Sequence, residues 1–179
     1  MQQAYKSLSS NSYCRWYTGD ERGLDTDSLL FAYELLHRAG FLRTLFYDRD
    51  EVPGPAEFVN FLTQEKFLTF ILYRADGTPM GMTWLEVCTH TGSQRFGHFT
   101  TFDTCERSEW VEAGRAFCRF IYEATNIKQF IGITPACYRH ALKAARELGY
   151  KPVARLEKAV WCLGKDRDAI LSINELSEI

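Results

Sequence analysis

Four kinds of side chain in this sequence could do chemistry: imidazole, carboxylate, phenol and thiol. His98 and Glu86 fall on adjacent strands of a predicted meander. A histidine that titrates near neutrality beside a carboxylate is a pair able to move a proton. Each also has a plain reading. His98 shares a strand face with Phe96, Thr100 and Phe102, as a core histidine would, and Glu86 fits a solvent-facing position. Tyr138 offers a phenol on a predicted helix, in a row with Ala141, Leu142, Ala145 and Leu148 that equally suits the core. Cys105 and Cys137 stand near predicted helix N-termini, where a thiolate is stabilised, yet neither has a histidine at a fitting position to serve as its base. The other cysteines, Cys14, Cys88, Cys118 and Cys162, form no C-x-x-C pair, and His37, His90, His98 and His140 do not cluster with them at ligand spacing. No metal site is expected, and the thiols read as small buried groups in a reducing compartment.

Composition narrows the class. The 179 residues allow one domain with a real hydrophobic core, and 46% apolar with 15% aromatic residues marks a globular chain. A net charge of −2, with no basic stripe, argues against nucleic acid and against an acidic membrane surface as partners. No apolar run approaches the roughly 20 residues of a membrane span. The N-terminal residues lack the apolar segment of a signal peptide, so the expected location is cytoplasmic.

The elements that must position these groups are organised around Ile127 to Leu156. Ile127, Phe130, Ile131 and Ile133 form an apolar run that stops at Thr134-Pro135, as a buried strand does. Pro135 then suits the first turn of a helix that Gly149 ends, and Val153 to Leu156 returns as a strand, which favours a crossover connection. Upstream, Tyr13, Trp16 and Tyr17 make a short strand or an aromatic anchor. Asp25-Thr26-Asp27 supplies N-cap chemistry for a helix to about Ala39, closed by Gly40, and Pro55 opens a second helix, Ala56 to Gln64. Three meander strands are predicted at Phe67 to Tyr73, Met80 to Cys88 and Gln94 to Asp103, with turns at Asp76-Gly77 and Thr89 to Ser93. Glu106 to Ala124 is the longest helix. Downstream, a Glu157-Lys158 turn, a strand from Ala159 to Leu163 and an amphipathic helix from Asp168 to Leu176 complete the expectation.

This order, helix, helix, three strands, long helix, strand, helix, two strands, resembles the GNAT superfamily of acetyl-CoA-dependent N-acetyltransferases over about residues 25 to 163. The likeness is strongest at IKQFIGIT followed by ALKAARELGY, whose Gly149-Tyr150 matches the family's Gly-Phe helix ending. The hairpin ADGTPMGM matches the family's D-G-x-x-V-G. The resemblance implies an α/β (α+β) fold with a mixed, mostly antiparallel sheet and helices on both faces. It also implies transfer of an acetyl or other acyl group from acetyl-CoA or another acyl-CoA to an amine of a small molecule or protein, and a homodimer is compatible with it.

The family's fold implies a pyrophosphate cradle, R/Q-x-x-G-x-G/A, at the start of the long helix, where amides and dipole favour an anion. Aligned here, Gly114 and the following Arg115 match, while Glu112 replaces the first glycine and Glu109 the Arg/Gln. Glu106 adds a third carboxylate and Arg107 a partly offsetting charge. The pantetheine arm is expected where the sheet splays between the third meander strand and the strand at Ile127, hydrogen-bonded to backbone near Phe102 to Thr104. The family's frequent tyrosine acid is Ala145 here, and its frequent asparagine is Tyr138. His98, Glu86 and Tyr138 remain to handle protons. The departures support an alternative: a GNAT fold without acyl-CoA chemistry, serving as an interaction module with Trp16, Trp84, Trp110 and Trp161 at an interface.

Overall fold

A computed structural model describes residues 4–88 and 92–179. The chain begins with two short strands, β1 (Tyr5–Ser7) and β2 (Ser12–Trp16). Helices α1 (Thr26–Arg38), α2 (Leu42–Leu45) and α3 (Pro55–Leu62) follow. The meander is β3 (Phe67–Arg74), β4 (Pro79–Val87) and β5 (Gln94–Thr101), and the long helix is α4 (Arg107–Ala124). Then come β6 (Gln129–Pro135), α5 (Arg139–Glu147), β7 (Lys151–Trp161) and β8 (Asp166–Glu175). Among the described residues the strands form one sheet in the order β1-β2-β3-β4-β5-β6-β8-β7, antiparallel throughout except between β5 and β6. The N-terminal segment therefore extends the sheet, with β2 pairing β3.

Local signals account for most boundaries. Asp25 caps α1, its carboxylate accepting from Ser28 N at 2.8 Å, and Gly40 ends it at a positive φ of 70°. Glu57 Oε2 accepts from Gly54 N at 2.9 Å and holds the start of α3. Gly77 takes the left-handed conformation the β3–β4 turn needs.

The sheet is covered on both sides. On one face Leu29, Leu36, Phe58 and Leu62 of α1 and α3 pack on Ile71, Met82 and Trp84. On the other, Trp110, Phe117 and Ile121 of α4 pack on Leu72, Leu85 and Phe130. Strand β3 is buried on both faces, which is why its sequence reads as an unbroken apolar run.

The feature that shapes the site is a parting of strands. β5 and β6 pair over only three positions, Gln94↔Gln129, Arg95↔Phe130 and Phe96↔Ile131. Beyond them β5 stays with β4 to Thr101, and β6 stays with β8 to Pro135. The sheet thus divides into two halves with a wedge between them, open toward the N-terminus of α4.

Three sequence expectations need correction. The segment expected as a helix from Asp168 to Leu176 is strand β8. It lies between β6 and β7, with Ala169, Ser172 and Asn174 buried and Ile170, Leu171 and Ile173 half-buried. Pairing on both edges outweighs the helical spacing of Ile170, Leu171 and Ile173. The Glu157-Lys158 turn is a bulge within the single long strand β7, with Lys158 at φ 45° and its N–H donating to Asp168 Oδ1 at 3.1 Å. The reversal comes later, where Cys162 N bonds Lys165 O at 2.9 Å. Finally, Pro135 closes β6 and does not open α5, which starts at Arg139. The crossover does occur: β6 and β7 run the same way, separated by β8. Of the expected turn Thr89 to Ser93, residues 89–91 lie outside the described residues.

Candidate active site

Two glycines mark the apex of the wedge, one on each parting strand. A β-carbon on Gly97 would lie 2.5 Å from Tyr150 Oη, and one on Gly132 would lie 3.2 Å from Tyr150 Cε1. The Tyr150 ring enters this space from the end of α5, edge-on to Phe99 with centroids 6.3 Å apart. Tyr150 is 5% exposed, and its hydroxyl has no hydrogen-bond partner among the described residues. Burial pushes its pKa well up, so the hydroxyl keeps its proton. Sequence reasoning used Tyr150 only as part of a helix ending. The signal that points to it is a lone glycine inside each strand, which marks close approach.

On the opposite face of the same strand, one residue on, stands His98. Its ring stacks on Trp84, with centroids 4.8 Å apart and planes 6° from parallel. Its Nε2 is 3.8 Å from Glu86 Oε2, and Glu86 Oε1 accepts from Lys66 Nζ at 2.8 Å. The Glu86 carboxyl is held down to about 2 from its ordinary 4.5, first by the His98 imidazole and then by Lys66, against partial burial. The structure therefore brings His98 and Glu86 together, with the His98 side chain 42% exposed.

Tyr138 is placed elsewhere. It immediately precedes α5, beyond the open end of β6, with its ring against Tyr47 at 6.0 Å. Burial, and then the neighbouring Cys162 thiol, raise its pKa. No contact joins it to His98 or Glu86 among the described residues. The cysteines carry no disulfide, and burial holds the Cys105 thiol up at about 11.

The open end of the wedge leads to α4. Phe102 N donates to Met80 O at 2.9 Å, continuing the β4–β5 ladder. By antiparallel alternation the even residues of β5 bond β4, and the N–H and C=O of Phe99 and the N–H of Thr101 turn toward the wedge. The Phe102 carbonyl is also engaged, accepting from Thr101 Oγ1 at 2.9 Å. Exposed backbone thus lies just before Phe102 to Thr104. Thr104 is tied down through its hydroxyl to Pro79 O and through its carbonyl to Arg74 Nη2.

At the head of α4, Glu109 Oε2 accepts from Glu106 N at 3.0 Å, and Arg74 binds both oxygens of Glu109, at 3.0 and 2.7 Å. Arg74 first, then the Glu106 amide, hold the Glu109 carboxyl below its ordinary range. The charge at this end is therefore largely offset, and the amides of Arg107 and Ser108 have no intrahelical partner. The aligned segment Glu109 to Gly114 lies inside the helix. Gly114 is where α4 meets Leu148, whose Cδ2 would be 2.5 Å from a β-carbon there. Arg107 pairs with Glu147 at 2.6 Å, and Arg115 Nε donates to Glu147 O at 2.8 Å. Arg107, Ser108, Glu112, Arg115 and Arg119 line a shallow groove of about 750 Å³ along the outer side of α4.

No family model matches this sequence, and no curated protein matches it. Solved structures do. An acetyl transferase from Salmonella typhimurium, which modifies the N-terminal serine of ribosomal protein L7/L12, is 9% identical with a TM-score of 0.78, over 96% of this chain and 98% of that one. A ribosomal L7/L12 α-N-protein acetyltransferase in complex with coenzyme A is 10% identical with a TM-score of 0.74, over 96% and 97%. A spermidine N-acetyltransferase from Vibrio cholerae, in complex with CoA and spermine, is 11% identical with a TM-score of 0.74, over 94% and 98%. At such identities the likeness is one of fold.

Proposed function

We propose that this chain, which has the GNAT fold, transfers an acyl group from an acyl-CoA to an amine of a small molecule or protein. The observation that carries the reading is the wedge: two half-sheets that part after three pairs, with unpaired backbone on β5 leading to the head of α4. An amide-bearing arm lies along the edge of β5 from Phe99 to Thr101, as an added strand would. Its phosphates meet the first-turn amides of α4 and Arg107, where the helix dipole favours negative charge. Arg115 serves the nucleotide end in the outer groove. The turn Phe102 to Thr104, and Gly114 beneath the helix, hold this end in place.

The amine approaches from the α1/α3 face. His98 takes its proton, and the Glu86 carboxylate, 3.8 Å from Nε2, favours the imidazolium that forms. The amine nitrogen attacks the thioester carbonyl carbon, the tetrahedral intermediate collapses and the thiolate leaves. Tyr138, which precedes α5 beyond the open end of β6, is offered as the phenol that protonates the departing thiolate. The neighbours of known activity act on a protein N-terminus and on spermidine, and both kinds of amine fit an acceptor side that is partly open.

Calorimetry with acetyl-CoA and CoA tests the reading first, followed by CoA release on a panel of polyamines and peptide N-termini. Micromolar binding with amine-dependent release is expected. No binding at millimolar ligand overturns the proposal and favours a second reading, a binding module. Strand β7, an edge strand exposed on both faces, with Val153 54% and Trp161 44% exposed and Leu163 in the turn after it 51% exposed, favours that second reading.

A further inference from the structure

We infer that Tyr150 is the stopper of the wedge and that it limits the transferred group to two carbons, an acetyl group. The inference rests on the acyl-CoA reading. A ligand whose phosphates sit at α4 and whose arm follows β5 carries its acyl group at the far end, toward the apex. There the way is closed by one side chain. The Tyr150 ring lies against Gly132 on one strand, and its Oη reaches Gly97 on the other. Both strands have given up a β-carbon to admit it. Phe99 borders the same point, with Cε2 3.1 Å from the Gly97 β-carbon position, and Phe130 Cβ is 3.3 Å away.

The hydroxyl argues for the same role. A buried O–H without a partner is unfavourable, and phenylalanine would fill the ring's place without it. What the oxygen adds is reach. It is the atom that closes the last gap to Gly97, and without it the apex gains room for about one heavy atom. His98, on the other face of the next residue, is left level with the end of the acyl group. The stopper thus determines how far the thioester advances as well as how long an acyl chain fits.

The test measures binding of CoA, acetyl-CoA, propionyl-CoA and hexanoyl-CoA to the wild type and to Tyr150→Phe and Tyr150→Leu, with CoA affinity reporting that each variant is folded and its nucleotide end intact. The wild type should bind hexanoyl-CoA at least tenfold more weakly than acetyl-CoA. In Tyr150→Phe the propionyl-to-acetyl affinity ratio should rise about fourfold, the worth of one buried methylene, while thermal stability holds or increases. In Tyr150→Leu the preference against hexanoyl-CoA should disappear. Equal wild-type affinities for acetyl-CoA and hexanoyl-CoA overturn the inference, as does an unchanged hexanoyl-to-acetyl ratio in Tyr150→Leu. If Tyr150→Leu does not fold, Tyr150→Phe decides alone, and an unchanged propionyl-to-acetyl ratio overturns it. Failure of the wild type to bind even CoA is a different result: it removes the acyl-CoA reading and the stopper with it.

Discussion

His98 and Glu86 stand 3.8 Å apart, a distance that a small side-chain rotation turns into a hydrogen bond. If His98 is the base, His98→Ala lowers kcat about a hundredfold or more, with KM for the acyl-CoA little changed, in an assay of amine-dependent CoA release. A matching loss of acyl-CoA binding in His98→Ala would instead make His98 a packing residue for Trp84. Glu86 carries a second, independent expectation. Its folded pKa, about 2, is below the ordinary 4.5, so the stability it contributes is whole above about pH 4.5 and is lost as pH falls toward 2. Denaturant titrations of wild type and Glu86→Gln should therefore differ by a constant amount near neutrality and converge in acid. A gap that does not close would mean that the Lys66 and His98 contacts are not what holds the carboxyl ionised.

At the scale of elements, the β4–β5–α4 junction depends on Gly81. A β-carbon there would collide with the Thr100 carbonyl oxygen and lie 2.7 Å from Trp110 Cζ3. Gly81→Ala should cost about 1–3 kcal/mol as overpacking, read as a lower denaturation midpoint with an unchanged slope. The head of α4 makes the opposite kind of prediction. Glu109→Gln keeps an oxygen for the Glu106 amide, removes a negative charge and frees Arg74 to face a phosphate. CoA affinity should rise about fivefold, roughly 1 kcal/mol, and the gain should shrink with salt. Weaker binding in Glu109→Gln would show that the Arg74–Glu109 pair orders the cradle and does not merely mask it.

Over the whole molecule, the two half-sheets join through three residue pairs of β5 and β6 and through packing on α4, with side-chain contacts such as Phe99–Phe130 and Tyr47–Tyr138 between them. A ligand filling the wedge touches both halves, and binding to the native state alone stabilises by about 2.7 kcal/mol at about 100 times its dissociation constant. Acetyl-CoA should raise the melting temperature by several degrees, with both halves melting together. Absence of a shift at saturating ligand would mean that the ligand does not bridge them.

What the sequence by itself determined is what local chemistry decides. Asp25 and Gly40 bound α1, Asp76-Gly77 turns the hairpin, and the spacing of Trp110, Phe117 and Ile121 makes α4 an amphipathic helix. These signals act within a few residues, and their order carries the resemblance to the GNAT fold. His98 and Glu86 were legible as lying on adjacent strands, because a polar stretch separates the two runs of strand composition that carry them. Tertiary structure decided the rest. Ile170 to Ile173 suits a helix or a strand, and insertion between β6 and β7 chooses the strand. The parting of β5 from β6 depends on which positions pair at a separation of 35 in sequence, and no local propensity encodes that. Tyr150 reads as the end of a helix until two glycines from different strands, Gly97 and Gly132, are brought to either side of its ring.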